Sequence, residues 1–147
     1  MWEGSKVIGG SPDPPDLTAP LYYHLGVLRA RSGQKHEACE AFEVACNLLP
    51  AQPAYVHELA KSRQACGDYY GAVEAFNRVI LIQPRNARAL FRRGLAYRSL
   101  GRYEEAAKDM EQAKILDPTE PAFHVNYKAL SGVDVIEIAK SGLEDQV

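Results

Sequence analysis

Apolar and polar positions in this chain alternate with the 3.6-residue period of helices, in stretches of about fourteen residues broken at regular places. The breaks are prolines and glycines. Pro50, Pro84 and Pro118 stand 34 residues apart, as do Gly33, Gly67 and Gly101, and so do Ala38, Ala72 and Ala106. An offset that does not slip is the mark of stacked structural repeats. Three units therefore run over 19–52, 53–86 and 87–120, and each is predicted to be a helical hairpin that turns at its glycine.

Proline placement is an independent check, because a proline inside a helix removes a hydrogen bond and costs ~3 kcal/mol or more. The pattern asks for none there: Pro12, Pro14, Pro15 and Pro20 fall in the N-terminal lead, and Pro50, Pro53, Pro84, Pro118 and Pro121 fall at joints between units. Gly33, Gly67 and Gly101 suit the left-handed residue just past a helix end, where a Cβ would be strained. Gly26, Ala60 and Gly94 on the first helices, with Ala38, Ala72 and Ala106 on the second, let the helices of a hairpin approach closely.

These residues resemble the tetratricopeptide repeat, whose signature is aromatic-x2-Leu-Gly-x2-Tyr followed by Ala, a large aromatic, Ala and Pro. The first unit matches through Tyr22, Leu25, Gly26, Ala38, Phe42, Ala45 and Pro50, and the third through Gly94, Tyr97, Gly101, Tyr103, Ala106, Ala113 and Pro118. Arg29 and Arg63 replace the signature Tyr of the first helix and Arg93 replaces its Leu, with stems that can lie on the core while the guanidinium stays wet. The resemblance implies an all-α, right-handed superhelical solenoid, because one hairpin cannot cover its own apolar stripe and neighbours must stack. The expected organisation is a flexible lead over 1–18, a repeat domain over 19–130 that includes a capping helix at 121–130, and a tail at 131–147 read as a short helix. Phe123 and Tyr127 are expected to face inward from the cap.

Charge narrows the function classes. The 147 residues hold 17 basic and 19 acidic side chains, net −2, which argues against a general nucleic-acid coat, since such proteins carry a basic excess. The longest aliphatic run, Val79 to Ile82, is far short of the ~20 residues of a bilayer span. The first ten residues carry neither a basic leader nor an apolar core, so a cytoplasmic location is expected. Cys39, Cys46 and Cys66 form no CxxC and read as reduced, packed thiols.

No nucleophile–base pair, phosphate loop or metal-ligand spacing stands out. His24, His36, His57 and His124 lie on different predicted helices, so neither catalysis nor a metal or other cofactor is expected. The resemblance implies a binding surface instead, on the concave side formed by the first helix of each hairpin. Projected onto this sequence it comprises Tyr23, His24, Val27 and Arg31 from the first unit, and His57, Glu58, Lys61 and Gln64 from the second. The third adds Arg88, Phe91, Arg92, Leu95 and Arg98. From Arg85 to Arg102 there are six arginines and no acid, whereas Glu37, Glu40, Glu43, Glu74, Glu104, Glu105, Asp109 and Glu111 lie on second helices. Helix-end electrostatics explains part of that, but not an acid-free run of such length.

Guanidinium forks interleaved with apolar anchors suit a peptide carrying carboxylates, so the leading expectation is a noncatalytic interaction module or scaffold whose partner is an acidic, partly apolar peptide. Three alternatives stand beside it. The cochaperone subset of the family grips a C-terminal carboxylate with Lys and Asn in unit one, Asn in unit two, and Lys and Arg in unit three; Arg88 and Arg92 fit the last pair, but Tyr23, Val27 and Glu58 hold the other places, and Glu58 would repel the ligand. Nucleic acid could contact the Arg85 to Arg102 helix with Phe91 stacking on a base. The tail from Val133 to Ile138 could dock on a neighbouring copy.

Overall fold

A computed structural model describes residues 14–124. Among these residues six helices follow one another: α1 (Pro15–Arg31), α2 (Lys35–Leu48), α3 (Pro53–Ala65), α4 (Tyr69–Ile82), α5 (Ala87–Ser99) and α6 (Tyr103–Leu116), and residues 121–124 add a further helical turn. No strand occurs among the described residues. The architecture is an all-α solenoid of three hairpins: α1 packs on α2, α3 on α4 and α5 on α6, while α2 against α3 and α4 against α5 join one hairpin to the next.

The turns form as the glycines require. Gly33, Gly67 and Gly101 take φ of 82°, 84° and 76°, and each accepts this without a Cβ to strain. Hairpins close tightly where small residues meet: a Cβ on Gly26 would lie 2.6 Å from Cε1 of Phe42, a collision that glycine avoids. Asp68 caps α4 by accepting from the Gly71 N–H at 2.9 Å, and Asn86 caps α5 by accepting from the Ala89 N–H at 3.0 Å.

Phe42, Val56, Leu59, Phe76 and Val79 centre one buried cluster spanning the first two hairpins. A second, around Leu90, Phe91, Met110 and Phe123, fills the third hairpin and its lid. Phe123 is buried against Phe91, with ring centroids 5.0 Å apart, so the inward face expected for the capping segment is present at that residue. Tyr127, the rest of 121–130 and the tail 131–147 lie outside the described residues.

Two expectations are corrected. The lead was expected to run to residue 18, yet α1 begins at Pro15, whose fixed φ suits the first helical position. Pro20, expected outside any helix, lies within α1, where it leaves the Asp16 carbonyl without the usual i+4 donor.

The arginines that replace signature residues are also less wet than expected. Arg29 donates to the Glu37 carbonyl and Arg63 to the Gly71 carbonyl, both at 3.2 Å, so each holds the start of the second helix of its hairpin in the same way. Arg63 adds ion pairs to Glu43 at 3.1 Å and Glu74 at 3.2 Å. Arg93 makes a bidentate pair with buried Asp109, both bonds 2.7 Å, and donates to Asn77 at 2.8 Å.

Candidate functional site

The first helices of the second and third hairpins frame a depression of about 560 Å³. His57, Glu58 and Lys61 enter it from α3, Arg88 and Arg92 from α5. All five were expected on the concave surface. They meet because residues three or four apart share a helix face: His57 with Lys61, and Arg88 with Arg92, are one turn apart. The floor includes Gln52, Gln83 and Asn86 from the joints between hairpins, which sequence reasoning did not assign. The repeat offered a signal for two of them, since Gln52 and Asn86 are equivalent positions that both precede a first helix.

Electrostatically the depression is short of negative charge. Glu58, the acid that lines it, is engaged by Lys61 at 3.4 Å, which weakens the repulsion expected from it. Neither Arg88 nor Arg92 has an ion-pair partner among the described residues. Burial, and then neighbouring Arg88, holds the Arg92 guanidinium below its ordinary value. His57 is pushed down to about 4, first by burial and then by Arg92, Lys61 and Arg88. Its ring therefore stays neutral at pH 7, edge-on to Phe76 at 5.5 Å. A carboxylate placed here would offset the repulsion from the neighbouring cations while leaving the cost of burial in place.

The other residues expected on the concave surface do not line this depression. Tyr23 stacks on Tyr55 at 4.8 Å and, with Val27, packs against the core. His24 and Arg31 are exposed on α1, and Arg98 is exposed at the end of α5. Leu95 packs on the second cluster. Phe91 is only 8% exposed, so it cannot offer a ring face to a nucleic-acid base; it contributes instead to the wall of a smaller recess of about 180 Å³ shared with Arg88, Arg92 and Glu120. The acid-free run also divides in function: Arg93 and Arg102 are paired internally, with Asp109 and Glu105, leaving Arg88 and Arg92 for the depression.

Other reactive groups are engaged in packing. Burial pushes the Cys46 thiol up to about 11 and raises that of Cys39 as well. No group of three metal-ligating side chains occurs among the described residues, and no described helix is long and apolar enough to cross a membrane.

Stacked helical hairpins with a 34-residue period, glycine turns and a groove on the first helices define a helical-repeat protein. Family models agree: tetratricopeptide repeat models match residues 19–51 and 57–121, and the chain belongs to the tetratricopeptide repeat family. Tetratricopeptide repeat protein 36 of Mus musculus is 34% identical over 92 residues, 60% of this chain and 50% of that protein. Its Danio rerio counterpart is 35% identical over 95 residues, 62% of this chain and 51% of the relative. The chain thus spans about half the length of these curated relatives.

Among solved structures, the Arabidopsis OM64 TPR domain superposes with a TM-score of 0.74 at 26% identity, covering 79% of this chain and 96% of that one. The first TPR of Spaghetti (RPAP3) bound to the HSP90 peptide SRMEEVD gives 0.73 at 22% identity, covering 78% and 91%. The Yersinia enterocolitica type III secretion chaperone SycD, in complex with a peptide of the translocator YopD, gives 0.71 at 23%, covering 88% and 97%. The last two are likenesses of fold.

Proposed function

We propose that this chain is a noncatalytic protein-interaction module that holds an acidic peptide in the depression between α3 and α5. The observation that carries the reading is the pair Arg88 and Arg92, beside Lys61, facing one depression without carboxylate partners of their own among the described residues. A peptide carboxylate placed between them supplies the missing charge and forms charge-assisted hydrogen bonds, each worth about 1.5–3 kcal/mol. The structural neighbours bound to a chaperone-tail peptide and a translocator peptide lend support by analogy of fold.

A chaperone C-terminal tail is a narrower version of this reading, favoured by the same two arginines. It is weakened at the first unit, where Tyr23 and Val27 are packed against the core and offer no polar clamp. A panel of short acidic peptides, each with a free or an amidated C-terminus, separates the two by fluorescence anisotropy. Acidic peptides should bind whichever terminus they carry, and Arg88→Glu with Arg92→Glu should weaken them by on the order of tenfold or more. Preference for the free terminus alone would select the tail reading. Binding indifferent to both substitutions would remove the depression as the site.

A further inference from the structure

The outward face of α1 is apolar. Leu17, Leu21 and Leu28 are 63%, 67% and 62% exposed. On a helix of 3.6 residues per turn they fall, with His24 and Arg31, within about 40° of one line, opposite buried Ala19 and Gly26. The spacing of these five positions is that of a two-helix seam, four residues and three in alternation.

The repeat shows what such a face is for. Positions equivalent to Leu21 and Leu28 are Tyr55 and Ser62 in the second hairpin and Ala89 and Ala96 in the third. There the preceding hairpin covers them: Ser62 is 8% exposed, both alanines are fully buried, and Tyr55 stacks on Tyr23. In α1 the same positions are leucines and stand open. Leu28 is too large for the spacing that buries Ser62 and Ala96 at its equivalent positions, so the face fits one helix laid along a leucine seam rather than another hairpin at repeat spacing.

We propose that a second copy of this chain covers the stripe, by antiparallel pairing of the two α1 helices about a twofold axis. An axis between Leu21 and His24 sets Leu17 of one copy against Leu28 of the other, and Leu21 against His24, so a single surface serves both sides. Charge agrees with that register. Asp16 and Arg31 lie at opposite ends of α1 on the same flank, both exposed and without ion pairs among the described residues. Antiparallel pairing brings Asp16 of each copy alongside Arg31 of the other. The helix is about 26 Å long, so the interface falls at the small end, below about 1,200 Å², and the dimer should be weak and reversible.

Sedimentation velocity on the full chain, from about 1 to 300 µM, tests this. A monomer–dimer equilibrium is expected, weakened on the order of tenfold or more by Leu21→Glu and likewise by Leu28→Glu. Both sites are exposed, so the melting temperature of either variant should stay near that of the parent. Asp16→Arg and Arg31→Asp should each weaken the dimer, and the two together should restore it. Arg88→Glu, in the depression, should leave it unchanged, which keeps this test separate from the proposed peptide binding. A monomer at every concentration overturns the proposal, as does a dimer indifferent to both leucine substitutions. A monomer that melts lower on Leu21→Glu assigns the stripe to another part of the same chain and equally overturns it. Failure of the charge exchange to restore association overturns the antiparallel register.

Discussion

Replacing Asp109 by alanine should destabilise the protein, and replacing Arg93 by leucine in the same chain should largely cure it. The 34-residue period places Leu25 with Ala41, Leu59 with Ala75, and Arg93 with Asp109 in equivalent pairs. Ala41 and Ala75 are 2% and 0% exposed, so Asp109, at 6%, puts a carboxylate where the other hairpins bury a methyl group. Its two oxygens accept from Arg93 at 2.7 Å each, and the arginine side chain is 21% exposed against 8% for the aspartate. Breaking a fully buried pair costs about 3–5 kcal/mol. Because Arg93 keeps a path to water and a bond to Asn77, Asp109→Ala should cost less, about 2–3 kcal/mol. Arg93→Leu leaves the more buried charge unpaired and should cost about 3–4 kcal/mol. The double variant recreates the Leu–Ala pair of the first two hairpins and should lie within ~1 kcal/mol of the parent, or above it, since apolar replacement of a buried pair is often neutral or stabilising. Urea unfolding followed by circular dichroism measures all three, and the cycle gives the coupling directly. A double variant that loses as much as the two single ones combined would mean that the third hairpin is not packed as the first two are, and the reasoning from the repeat fails.

Three further outcomes follow from named residues. The His57 pKa of about 4 lies below its ordinary 6.5, so between those values the unfolded chain binds a proton that the folded chain refuses. The His57 contribution to stability should be level above pH 6.5 and fall by about 1–2 kcal/mol as the pH drops through that window, less than the full shift would give because the ring is partly exposed; His57→Gln should flatten the fall in urea melts, and a bound acidic peptide should raise the pKa in an NMR titration. Gly26→Ala drives a methyl group to 2.6 Å from Phe42 and should cost about 1–3 kcal/mol, measured by thermal melting. Ala72, fully buried where two helices meet, should behave similarly on Ala72→Leu, with a cost of about 1–3 kcal/mol; an unchanged melt would place the helix contact elsewhere.

The fold was legible because its punctuation is chemical. A left-handed turn residue needs glycine and a close helix contact needs a small side chain, so Gly33, Gly67, Gly101, Ala38, Ala72 and Ala106 announce the hairpins wherever they recur. Pro20 was misread because the rule against helical proline weighs one lost hydrogen bond, while the helix around it is held by packing on the second helix, with Gly26 against Phe42 and Ala19 buried. Face assignment was harder. A period of 34 places residues in equivalent positions, but the depression lies between α3 and α5, so His24 and Arg31, exposed on α1, do not line it.

The arginine run shows the limit of charge counting most clearly. Six arginines without an acid look like one patch in the sequence, yet only four of them lie on α5, which distributes them around its circumference, and the following helix supplies acids that the run lacks. Arg93 is drawn inward because Asp109 occupies an alanine position across the hairpin, and Arg102 is held beside Glu105 one turn into α6. Comparing the units with one another would have revealed the first of these, since leucine and alanine change together to arginine and aspartate only in the third hairpin. What then distinguishes Arg88 and Arg92 is the lack of any such exchange opposite them. The wall they face belongs to α3, where Lys61 already engages Glu58, and on the proposed reading a partner's carboxylates would supply the charge opposite them.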